Sequence, residues 1–146
     1  MPVTHWAQAQ ILGQLLLMQS VLSSLPDAAI VPFVVQGLTD IPGCDAVWID
    51  QGGSGDPGAP YRFPLKSGRV DHGELVFEVT DPALFAPFAD HVRNFSFMVS
   101  LILEERAQRQ TIARHQAELE LMVEARTRQL SEEVAASQRT LAALRE

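Results

Sequence analysis

The chain has 146 residues and a formal net charge of −7, with 47% hydrophobic and 20% charged residues. That length suits one compact domain plus an appendage, and the acidic balance argues against nucleic acid, which requires a positive surface. The single cysteine excludes an internal disulfide and a multi-cysteine metal site.

The sequence does not have the pattern expected of a membrane-spanning segment or of a secretory signal. Polar residues interrupt the apolar runs LLLM and MVSLIL well short of the roughly 18 residues that span a bilayer. The N-terminal ten residues contain no Lys or Arg, which is not typical of a secretory signal. We therefore expect a cytoplasmic protein without a membrane partner.

Two helices are predicted first. From Thr4 to Leu25 apolar residues recur at three- and four-residue steps, with Thr4 as N-cap and Pro26 ending the helix. A shorter helix is expected from Ala28 to Leu38, with a kink or a late start because Pro32 cannot donate a backbone hydrogen bond.

Three strand-like segments follow. CDAVWID, residues 44–50, is apolar on both faces and predicts a central strand covered on both sides. YRFPL, residues 61–65, alternates, and its proline indicates an edge position. GELVFEV, residues 73–79, places Leu75, Phe77 and Val79 inward and Glu74 and Glu78 toward solvent. Residues 52–60 and 66–73 are expected to form a loop and a turn.

A long helix is predicted to end the chain. Asp81-Pro82 is a helix-start signal, and neither Gly nor Pro follows Pro87. A helix of nearly 60 residues would be about 80–90 Å long, which exceeds the width of a domain of about 100 residues. We therefore expect a domain over residues 1–103 and a projecting helix over residues 104–146.

The outer part of that helix has the spacing of a coiled-coil seam. The predicted seam residues are Ile112, Leu119, Met122, Val123, Thr127, Leu130, Val134, Leu141 and Leu144. Two registers meet at the four-residue step from Leu119 to Val123, which is a stutter. Because such a helix is marginal alone, we expect a parallel homodimer. Either the helix switches between registers or it is a plain dimerisation zipper.

VEARTRQL, residues 123–130, resembles the Glu-Arg-Thr core of bacterial signalling helices that join sensor domains to histidine kinase or diguanylate cyclase domains. Glu124, Arg126 and Thr127 carry the resemblance, and Ala125 departs from it. The resemblance implies a C-terminal output domain, a kinase or a cyclase, in the full-length protein.

Residues 10–106 resemble a shortened GAF domain, through PGCDAVWI, GELVF and the final helix in that order. The resemblance implies an α+β fold, in which N- and C-terminal helices flank a small antiparallel sheet of three or four strands. Full GAF domains carry further elements that roof a ligand pocket. Here TDPALFAP, residues 80–87, stands in their place, so no cofactor is expected and no binding residue is assigned.

The sequence gives little support for a reactive cysteine, a metal site, a phosphate-binding loop or a phosphorylated histidine. Cys44 is expected to be a small buried residue. His5, His72, His91 and His115 form no metal-ligand spacing, and GGSGDPG lacks the ending of a phosphate-binding loop. His115 occupies a coiled-coil core position and does not match a phosphoacceptor motif.

No catalytic motif is present, so we do not expect an enzyme. The sequence thus predicts a non-catalytic sensory and dimerisation input module, of a sensor histidine kinase. A small-molecule-binding GAF sensor and a plain coiled-coil scaffold are the alternatives.

Overall fold

The computed structural model describes residues 2–52, 61–68 and 70–145, with the backbone alone at residues 2–4. The fold is α+β, as predicted. Its elements are α1 (Pro2–Leu22), α2 (Asp27–Leu38), β1 (Cys44–Asp50), β2 (Tyr61–Ser67), β3 (Val70–Val79), α3 (Pro82–Phe85), a 3₁₀ turn (Ala86–Phe88) and α4 (Ala89–Arg145). The chain forms two units, which are called unit 1 (Met1–Arg106) and unit 2 (Ala107–Glu146).

The first two helices differ from the prediction at their ends. α1 starts at Pro2, so the prediction of Thr4 as N-cap was wrong; proline is tolerated in a first turn because its missing N–H would have no helical partner there. α1 ends at Leu22, and a turn follows in which the Leu25 N–H donates to the Leu22 carbonyl. α2 runs through Pro32 without a late start.

The sheet has three antiparallel strands in the order β1-β3-β2. The prediction of β1 as the central strand was therefore wrong, since β3 lies between β1 and β2. Pro64 lies on an edge strand, as predicted, and pairs with Glu74 of β3. Strand β3 begins at Val70, so the turn predicted over residues 66–73 is shorter and includes Gly68 with φ +59°. The predicted loop lies outside the described residues except for Gly52.

One face of the sheet packs against the helices to form the core. Phe63 and Phe77 meet edge to face with ring centroids 5.4 Å apart. The buried apolar residues of this core come from α1 (Ile11, Leu15, Met18, Leu22), α2 and the turn after it (Ile30, Val34, Leu38, Ile41), the sheet (Val47, Phe63, Leu65, Leu75, Phe77) and residues 85–99 (Phe85, Phe88, Val92, Phe95, Val99). Leu75 and Phe77 thus face inward, as predicted.

The opposite face of the sheet carries Trp48, Val76 and Arg62 side by side across the three strands. Trp48 is 42% exposed, so the prediction that β1 is covered on both sides was wrong. Val76 pairs with Trp48 on one side and Arg62 on the other, and it is fully buried. The Arg62 guanidinium lies 2.9 Å from the Glu74 carboxylate and 3.3 Å from that of Asp50. The ion pairs of Arg62 thus connect all three strands on this face.

Candidate dimerisation helix and its attachment to the domain

A short capped helix precedes the long helix. Asp81 accepts hydrogen bonds from the backbone N–H groups of Ala83 and Leu84 and so caps α3, which confirms the helix start predicted after Asp81. The long helix α4 itself starts only at Ala89, after the 3₁₀ turn. α4 then runs for 57 residues. Its first turns bury Phe95 and Val99 in the core, whereas Leu101 remains 46% exposed.

Polar contacts hold α4 to unit 1 just before the unit ends. The Ser67 hydroxyl donates a hydrogen bond to the Glu104 carboxylate and lies 3.3 Å from the Ser100 carbonyl. Ser67 is buried, so its hydroxyl requires such a partner. These contacts tie α4 to the end of strand β2.

Arg106 holds α4 to the turn between α1 and α2. Its guanidinium donates to the Asp27 carboxylate and to the Ser23 carbonyl, both at 2.9 Å, and its side chain is 15% exposed. Neither this contact nor the Ser67 contact was predicted from the sequence, because each joins positions dozens of residues apart and no local pattern marks such a pair.

In unit 2 the predicted seam residues all face solvent. Every residue from 108 to 145 is exposed, and the eight aliphatic and methionine side chains of the seam range from 46% exposed at Leu130 to 79% at Leu144. Because α4 is one helix from Ala89 to Arg145, residues three and four apart in the sequence lie on the same side of it. A regular apolar series on one helix face, uncovered within its own chain, is typical of a helix that pairs with another helix.

The three residues that carry the resemblance to a signalling helix lie on this exposed helix. Arg126 donates to the Gln129 side chain at 3.1 Å, and Gln129 lies 3.4 Å from Glu133. These contacts run along the helix surface, where pairs three and four residues apart are neighbours. Glu124 and Thr127 are also exposed, so all three motif residues are accessible to a partner.

Cys44 and the histidines are dispersed. The Cys44 thiol is half-buried and lies 3.5 Å from the Ala46 carbonyl, and burial raises its pKa. His115 lies 3.8 Å from the Glu118 carboxylate on the surface of α4. Over residues 2–52, 61–68 and 70–145, no three His, Cys, Asp or Glu side chains are grouped as metal ligands.

A small groove lies between α1 and α4 within unit 1. It is lined by Leu12, Leu16, His91, Asn94 and Met98, among others, and has a volume of about 170 Å³. Pockets that enclose a small-molecule ligand usually measure about 300–1,000 Å³. The groove is therefore too small for a typical cofactor, and mainly apolar side chains line it.

In the part of the chain that the structure describes, none of the helices combines the length and the apolar character needed to cross a membrane. Comparison of the chain with family models, with curated protein sequences and with solved structures gave no match. The features that bear on function are therefore the exposed seam of unit 2 and the contacts that hold the first turns of α4 in unit 1.

Proposed function

We propose that this chain is a non-catalytic dimerisation and relay module of a bacterial signalling protein. The observation that carries the proposal is the exposed apolar seam of unit 2, which extends from Ile112 to Leu144. Two parallel copies of unit 2 would bury the seam in a coiled coil. Unit 1 of one copy would then be held next to unit 1 of the other.

The energetics favour pairing over a lone helix. An isolated helix gains little stability beyond its own hydrogen bonds, whereas a Leu or Val side chain that passes from half-exposed to buried contributes about 1 kcal/mol. Polar positions such as Thr127 interrupt the seam, so the gain is modest. Such a coiled coil is stable enough to pair and weak enough to change its register.

The attachment of α4 to unit 1 supports a relay. Ser67 and Arg106 hold the helix from two sides, through the end of β2 and through the α1–α2 turn. A rearrangement of the domain would therefore move α4 directly. From the resemblance to a shortened GAF domain and to a signalling helix, we propose that a histidine kinase or a cyclase domain in the cytoplasm receives the relayed change.

The first experiment compares the sedimentation of the wild-type chain with that of Leu130→Asp and Leu141→Asp. Each change puts a carboxylate into the seam, where burial of a charge is costly. We expect the wild type to be a dimer of 16.1 kDa chains and each variant to associate at least about tenfold more weakly. Ala135→Asp is the matched control, since it adds the same charge about 140° around the helix from Leu130.

Two results would decide against the proposal. If Leu130→Asp and Leu141→Asp associate as tightly as Ala135→Asp, the seam is not an interface. If native mass spectrometry of the wild type finds a stoichiometric small-molecule adduct, the chain is a ligand-binding sensor.

A further inference from the structure

One histidine lies within the apolar series of unit 2. Steps of three, four and three residues lead from Ile112 through His115 and Leu119 to Met122. At 100° per residue, His115 lies between Leu119 and Met122 around the helix axis. A polar residue at such a position weakens a coiled coil, and its burial is costly unless its polar atoms have partners. Hydrophobic pairing of two helices therefore does not account for His115.

A carboxylate lies beside this histidine on the surface of α4. The Glu118 carboxylate is 3.8 Å from the Nδ1 atom of His115, and both side chains are exposed. A hydrogen bond between a nitrogen and an oxygen measures about 2.7–3.2 Å. Two ligand atoms of one tetrahedral zinc ion are about 3.3–3.6 Å apart, because each bond to the metal is about 2.0–2.2 Å long. The observed distance is thus closer to that of two metal ligands than to that of a hydrogen bond.

One chain supplies half of such a site. A structural zinc ion takes four ligands, and among the described residues one copy of α4 brings two together here. In the proposed parallel dimer a two-fold axis runs along the seam, so each residue lies level with its counterpart. His115 would then face His115 of the second copy, with a Glu118 beside each imidazole. Two imidazoles and two carboxylates are ligands that zinc and similar transition-metal ions accept.

We infer that His115 and Glu118 of two copies bind one divalent transition-metal ion, such as zinc, between the helices of the coiled coil. This inference rests on the proposed dimer and adds a ligand to it. Metal sites in helical bundles are built from facing helices, and they use an imidazole and a carboxylate three residues apart on one helix. The two carboxylates balance the charge of the ion. Calcium and magnesium prefer oxygen ligands alone, so neither is expected to bind.

The position of the site gives it a role in the relay. Glu118 directly precedes Leu119, where the four-residue step to Val123 joins the two registers. An ion held by both copies keeps each His115 level with the other and so fixes the first register. An antiparallel pair could not form the site, because His115 lies near one end of the seam and would face residues near the other end. The bound ion therefore selects the parallel alignment.

The test is sedimentation of the untagged wild-type chain with EDTA and with about 10 µM free zinc. If zinc binds the dimer with a Kd of about 1 µM, it should strengthen dimerisation about tenfold, because an ion that binds only the dimer shifts the equilibrium by mass action. Native mass spectrometry of the zinc sample should show one zinc ion per two chains. Magnesium in place of zinc should leave the association unchanged.

Two variants separate metal binding from pairing. His115→Leu places an apolar residue in the seam, so with EDTA it should dimerise at least as tightly as the wild type, and zinc should no longer strengthen its association. Glu118→Gln should also lose most of the zinc effect. Glu120→Gln is the matched control and should keep the effect, because Glu120 lies about 140° around the helix from His115.

The outcomes separate this inference from the proposed function. If the wild type is a dimer with EDTA and zinc acts equally on the wild type and on His115→Leu, or on neither, the dimer stands and the inference about the metal is wrong. If the wild type is monomeric with EDTA and forms a dimer with zinc that His115→Leu does not form, the inference holds and pairing requires the ion. If the wild type is monomeric under both conditions, both proposals fail.

Discussion

At the scale of single residues, Gly43 is a position where the backbone permits little change. It has φ +83°, and a Cβ atom there would lie 2.5 Å from the Asp81 carbonyl oxygen and 2.9 Å from the Phe85 nitrogen. Its carbonyl accepts from the N–H of Thr80 at 3.0 Å. Gly43 directly precedes β1, bonds to Thr80 just after β3 and lies against the backbone of Phe85 in α3, so its conformation affects these three elements.

We predict that Gly43→Ala lowers the free energy of unfolding by about 2–4 kcal/mol, from the cost of a left-handed alanine and from the clash with backbone atoms. Urea unfolding at one fixed protein concentration measures the effect. Gly13→Ala is the control, since no heavy atom lies within 4 Å of its added Cβ, and it should raise stability by up to about 1 kcal/mol. Equal effects of the two changes would contradict the argument.

At the scale of elements, the sequence predicted β2 and β3 well and β1 poorly. Alternation in YRFPL and GELVFEV is a local signal, and Phe63, Leu75 and Phe77 are buried as it requires. Trp48 was predicted to be covered, because CDAVWID is apolar on both faces. Its partner in the sheet is Val76, which pairs in turn with Arg62 on β2, and such pairing depends on strand order. A pattern within one strand does not contain that order.

The attachment of α4 to the α1–α2 turn is also an element-scale property. We predict that Arg106→Ala lowers the free energy of unfolding by about 1–2 kcal/mol, because the Ser23 carbonyl and the Asp27 carboxylate lose a charged donor. The figure is at the low end for such contacts because Asp27 is 41% exposed and water screens it. Arg114→Ala, on the exposed part of α4, is the control for helix propensity. If both variants unfold at the same urea concentration, the Arg106 contact contributes nothing.

At the scale of the whole molecule, the candidate interface was predictable because it depends on periodicity. Ile112, Leu119 and Leu130 occupy one face of a helix whatever the rest of the chain does. The exposure of Leu16 on α1 and Leu101 on α4 was not predictable in this way. It depends on which sides of the two helices the rest of unit 1 leaves uncovered, and that follows from tertiary packing.

The stutter provides the last prediction. Deletion of Glu120 would shorten the step between Leu119 and Val123 from four residues to three, and the two registers would become one uninterrupted heptad series. We expect the dimer of this variant to melt about 2–8 °C higher than the wild type, as an added 1 kcal/mol would produce in a protein of this size.

Glu120→Ala is the matched control, because it removes the same carboxylate without changing the register. Thermal unfolding of both variants at two protein concentrations separates an effect on pairing from an effect on the domain, since only pairing makes the midpoint depend on concentration. If the deletion melts lower than Glu120→Ala, the residues on either side of the stutter do not share one seam. The helix would then have no second register to which it could switch, and a static zipper would be the better description of unit 2.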